Sequence, residues 1–163
     1  LSPDRGIIGD IAHISNGNLR KAIFLTQLLS QRDLLGNRKN LQTVLAATSI
    51  REVQRVIEEA LRGRVHQWRW EKNGNKNSRV LKGAMGQLDE LMKKYHLEAE
   101  EVVEHFYTLF TASRLHLDEE VLSKLLIALA ECDVSLKHTA VGRIQLELFL
   151  HQVAEIGSKQ VIA

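Results

Sequence analysis

The sequence predicts an all-α protein: a small helical hairpin followed by an antiparallel helical bundle. Leu, Ala, Glu, Lys and Arg dominate the composition, whereas aromatic residues make up 5%, a balance that favours helices over sheets. Apolar residues recur at three- and four-residue spacing in one segment after another, and no alternating run of useful length competes. The single proline, Pro3, stands outside every such segment.

Ile7, Ile8, Ile11, Ala12 and Ile14 give a short amphipathic helix that ends at a Ser15-Asn16-Gly17 turn. A second helix carries Leu19, Ala22, Ile23, Thr26 and Leu29 on one face. Such a pair is too small to stand alone and needs a neighbour to cover it. Gln31 to Asn40 reads as a loop, with Gly36 and Asn37 as breakers, and Leu41, Val44, Leu45 and Ala47 form a short apolar element after it. Ser49-Ile50-Arg51-Glu52 has the form of a capping box and predicts a helix start. The expected domains are therefore residues 1–47 and 48–163.

The second domain reads as helices over Ser49–Arg62, Arg79–Tyr95, Ala99–Ser113, Asp118–Asp133 and Thr139–Ile156. The fourth is so densely apolar that cover on more than one side is expected. Trp68 to Arg79 interrupts the series, and its Asn-Gly core could close a small hairpin.

A net charge of +2 over 163 residues supplies no global field toward nucleic acid or membrane, so any DNA contact must be local. The longest apolar runs fall short of a membrane span, and the N-terminus lacks a signal-peptide layout. The lone Cys132 makes no internal disulfide; the expectation is a packed thiol in a reducing, cytoplasmic protein. Seven histidines (His13, His66, His96, His105, His116, His138 and His151) are scattered, so no metal site is expected. Acid pairs such as Glu100 and Glu101 sit at helix starts, where they oppose the dipole.

Arg64, Arg69, Lys72, Lys76, Arg79 and Lys82 surround Trp68 and Trp70. That mix stacks bases and holds phosphates in single-stranded nucleic-acid sites. The alternative is a loop anchored by one tryptophan and solvated by its charges, with Glu71 and an Asn-rich tip diluting the patch.

Gly17-Asn18-Leu19-Arg20, opening a helix with Ala22, resembles the sensor-2 motif of clamp-loader ATPases. Far downstream, Ala128-Leu129-Ala130-Glu131-Cys132-Asp133, followed by Arg143-Ile144-Gln145-Leu146-Glu147, is similar to the last two helices of replication factor C small subunits, archaeal ones above all. The resemblance runs from Leu1 to about Ile156. It implies the C-terminal part of a longer subunit, with the end of an AAA+ lid in residues 1–47 and a helical collar in 48–163. In that family the arginine matching Arg20 touches the terminal phosphate of ATP bound with Mg²⁺. The collar helices pack into a ring of loader subunits that places a sliding clamp on primed DNA. The interface residues implied are Leu129, Cys132, Asp133, Ile144, Gln145, Leu146 and Glu147.

Two departures bear on this. Asn18 stands where the family carries aspartate, which keeps a capping oxygen and drops the charge. The phosphate loop, the acidic metal-binding motif and the arginine-finger motif do not occur in the chain. No catalysis is expected of this chain, and Arg20 is a sensor without the rest of its site.

Overall fold

The computed structural model describes residues 5–15, 17–31, 38–112 and 115–161, without the side chains of 5, 38–49, 160 and 161. Among these residues, seven helices and one strand pair follow in the order α1 (Arg5–Ser15), α2 (Leu19–Gln31), α3 (Arg38–Leu61), β1 (Gln67–Asn73), β2 (Lys76–Lys82), α4 (Gly83–Tyr95), α5 (Ala99–Thr111), α6 (Glu119–Leu136) and α7 (Gly142–Val161). The protein is mostly helical, and the all-α expectation is corrected by the antiparallel hairpin. Two compact units are distinguished, Leu1–Ser49 and Ile50–Ala163.

In the first unit, α1 and α2 close on Ile7, Ile11, Leu25 and Leu29. The buried face of α2 is Lys21, Leu25 and Leu29, while Leu19 and Ile23 face solvent. The expected face was thus rotated. Apolar residues lie almost all round this helix, so periodicity does not select one side. Of the expected Gln31–Asn40 loop, residues 32–37 lie outside those described, whereas Gln31 ends α2 and residues 38–40 already belong to α3.

The Ser49–Glu52 capping box does not start a helix, because α3 runs unbroken through it. Amides inside a helix already have carbonyl partners and gain little from a side-chain cap. A capping box forms instead at α5, where the Glu98 amide donates to Glu101 Oε2 at 2.9 Å.

The core of the second unit gathers Val53, Val56, Ile57 and Ala60 of α3 with apolar residues from α4 to α7. Phe149 sits among them, its ring 5.3 Å from Phe106 and 6.5 Å from Phe110. Gly157 of α7 lies against the Leu61 backbone, where any side chain would collide.

The hairpin turns at Gly74-Asn75, between the paired Asn73 and Lys76. Gly74 has φ of 60° and Asn75 does not share the positive φ, the pattern of a type II′ turn with glycine first. Its root is fastened by backbone. The Ala84 and Met85 amides at the start of α4 donate to the carbonyls of Arg64 and Val65, at 2.8 and 3.0 Å. Gly83 permits this approach, since its φ is 81° and a Cβ there would strike the Arg64 carbonyl.

Candidate functional site

Arg20 lies in the first turn of α2. Gly17 takes φ of 81°, the Asn18 amide donates to the Ser15 carbonyl at 2.7 Å, and Asn18 Oδ1 accepts from the Lys21 amide at 3.1 Å. Asparagine therefore supplies the cap that aspartate would. Arg20 is exposed, and among the described residues it makes no hydrogen bond or ion pair. An exposed cation at a helix start is available to an anion, which the adjoining amides also favour.

The residues expected at an interface divide into two sets. Leu129, Cys132 and Leu146 are buried within the chain, whereas Asp133, Gln145 and Glu147 are half-exposed and Ile144 is exposed. The Cys132 thiol donates to the Gln145 carbonyl at 3.5 Å. Burial, with the Asp133 carboxylate adding to it, pushes the thiol up to about 11. It stays protonated at neutral pH and is a packing group.

Besides Ile144, outward apolar side chains that the motifs did not single out lie on α6 and α7. On α6 they are Ile127 (61% exposed) and Val134 (56%); on α7, Ile144 (58%) and Leu148 (54%); Val141 precedes α7. Ile127, Glu131 and Val134 share one stripe of α6 by helical spacing, as do Ile144 and Leu148 on α7. Gln152 of α7 donates to Glu131 of α6 at 3.4 Å, which makes the two stripes neighbours. Beside the α6 stripe, Val103, Tyr107, Leu126, Leu129, Ala130 and Asp133 line an open, mainly apolar groove between α5 and α6.

A second exposed surface belongs to the hairpin. Trp68 pairs with Leu81 and Trp70 with Arg79, so strand alternation puts Trp68, Trp70, Lys72 and Arg79 on one face. Both tryptophans are exposed, and the Arg79 guanidinium lies 4.8 Å from the Trp68 ring centre. Glu71 points to the opposite face, where it pairs with Lys82 at 3.0 Å and holds that ammonium above its ordinary value. The acid expected to dilute the aromatic face is therefore not on it.

The fold also brings together residues that sequence reasoning left apart. His66, at the hairpin root, reaches Glu147 of α7 with Nε2 to Oε1 at 3.1 Å, and its ring stacks on His151 at 5.1 Å. One signal was present in the sequence: Glu147 and His151 are four residues apart on one helix. His66, from a distant segment, gave none. Glu147 also accepts from Arg143 at 3.2 Å, and Arg143 donates twice to Asp89, at 2.9 and 2.8 Å. These carboxylates, Asp89 foremost, favour the charged guanidinium.

Comparison with models of known protein families, with curated proteins and with solved structures finds no match to this chain. Among the described residues, no helix is long and apolar enough to cross a membrane.

Proposed function

We propose that this chain is an assembly module, the lid end and collar of a clamp-loader small subunit of the replication factor C type. The observation that carries the reading is the apolar stripe across the outer faces of α6 and α7. Ile127 and Val134 on α6 and Ile144 and Leu148 on α7 are large and exposed, the two stripes adjoin at the Gln152–Glu131 hydrogen bond, and a surface of that kind favours association. Its occupant is a like subunit. In a head-to-tail ring the stripe of one copy meets a different face of the next, and the α5–α6 groove offers an apolar receptor. Arg20, presented by the Asn18 cap, then serves as the phosphate sensor for ATP and Mg²⁺ held by the rest of the subunit. The sliding clamp and primer–template DNA are partners of the whole loader, a cytoplasmic machine of DNA replication. The test is reconstitution of the loader from subunits carrying Ile144→Glu and Leu148→Glu. The ring should fail to assemble while the variant subunit melts at the parental temperature; unaltered assembly contradicts the reading.

One observation favours a second reading, a nucleic-acid-binding module. The Trp68, Trp70, Lys72 and Arg79 face combines stacking rings with cations and carries no acid. Steeply salt-dependent binding of single-stranded DNA, lost on substitution of that face, distinguishes it from assembly.

A further inference from the structure

We propose that His66, Glu147 and His151 form a binding site for a divalent transition-metal ion, Zn²⁺ being the best match, which clips the root of the β1–β2 hairpin to α7. The candidate ligand atoms of the three residues all lie within 4.8 Å of one another. Zinc bonds of ~2.0–2.1 Å set tetrahedral ligand atoms about 3.3 Å apart. The His66–Glu147 separation of 3.1 Å is already close to that spacing. Small side-chain rotations bring His151 in.

The donor chemistry suits the ion. Two imidazoles and one carboxylate form a borderline set that accepts zinc in preference to the harder Mg²⁺ or Ca²⁺, which seek oxygen. Three protein donors leave a fourth position for water. The surroundings are also compatible with a cation. Arg143 touches Glu147 but is matched by Asp89, so two carboxylates face one guanidinium and the local balance is one negative charge. Arg143 bonds the second oxygen of Glu147, Oε2, leaving Oε1 toward His66. It thereby orients the ligand as outer partners do in metal sites.

Both sides of the clip are held before any ion arrives. Glu147 and His151 share one face of α7 through their four-residue spacing. His66 follows buried Val65, whose carbonyl is engaged by the Met85 amide. A bound ion would join these two fixed points and reinforce the His66–Glu147 and His66–His151 contacts that already link them.

The test is calorimetric titration of the chelator-treated chain with Zn²⁺ alone, backed by visible absorption with Co²⁺. One-to-one saturable binding and a tetrahedral Co²⁺ spectrum are expected. His151→Gln should weaken Zn²⁺ binding by at least the roughly 10- to 100-fold that loss of an outer partner alone produces, and Arg143→Gln should fall within that range. His66→Gln should match His151→Gln; both residues are exposed, and circular dichroism verifies the fold of each variant. Cys132→Ser should leave binding unchanged. Absence of saturable binding by about 1 mM Zn²⁺, or binding that survives His66→Gln and His151→Gln together, overturns the proposal.

Discussion

The outer face of α6–α7 and the aromatic face of the hairpin both turn large apolar side chains to solvent, and they differ in what accompanies them. Around Ile127, Val134, Ile144 and Leu148 the polar neighbours include Glu131, Gln145 and Gln152, and Glu131 and Gln152 are bonded to each other across the helix pair. Around Trp68 and Trp70 the neighbours are Lys72 and Arg79, with no acid on that face. A face of branched aliphatics with paired polar groups suits another protein, whereas rings with cations suit a polyanion. Exposed apolar area alone would not have distinguished the two. The charges beside it do.

The comparison can be broken from below by removing the core on which α6 and α7 depend. Phe149→Ala should lower stability by about 3–5 kcal/mol in urea unfolding, and it gives the signature of a purely structural loss. A surface substitution that produces the same signature is acting through the fold and says nothing of a partner. On the hairpin, Trp70→Ala should reduce single-stranded DNA affinity by about 1–3 kcal/mol if the face stacks bases. Arg79→Ala should make the salt dependence shallower by about one phosphate contact. Absence of DNA binding by the parent chain would assign the tryptophans to other contacts.

Cys132 sharpens the comparison on the inner side of α6. Its thiol is raised in the folded chain to about 11 from an ordinary 9.0, so folding favours the protonated form. The stabilisation is complete below the ordinary value and is lost as pH rises through the folded one. Between about pH 9 and pH 11, therefore, the parent should lose more stability than Cys132→Ala does, and at pH 8 alkylation of the native thiol should be slow until urea unfolds the chain. Rapid native alkylation would place Cys132 on a surface. Smallest of all is Arg20→Ala, expected to change melting by no more than about 0.5 kcal/mol; a larger change would mean that the arginine holds the fold and is not reserved for a ligand.

Much of the helical plan was legible because apolar residues recur at helical spacing in α4, α5, α6 and α7, where one face of each helix meets the core. It failed in α2, whose apolar residues run nearly all round, and at Ser49, where a cap-like sequence lies within a longer helix. Asn73-Gly74 marked the hairpin turn, but exposed strands with many charges carry no alternating pattern. The site was harder to read. Local motifs pointed to Arg20 and Ile144, which are exposed, and equally to Cys132 and Leu146, which are buried in the chain's own core, because a motif carries no information on which way a side chain faces. The approach of His66 to Glu147 and His151 arises only after chain reversal through the hairpin and four helices, and no short sequence window contains it.

The central claim is that α6 and α7 carry an assembly surface, and sedimentation equilibrium tests it most directly. The chain should show an average mass that rises with concentration, and the Ile144→Glu, Leu148→Glu double variant should hold the monomer mass throughout with an unchanged melting curve. A parent that remains monomeric at every concentration, or a variant that associates as the parent does, contradicts the account.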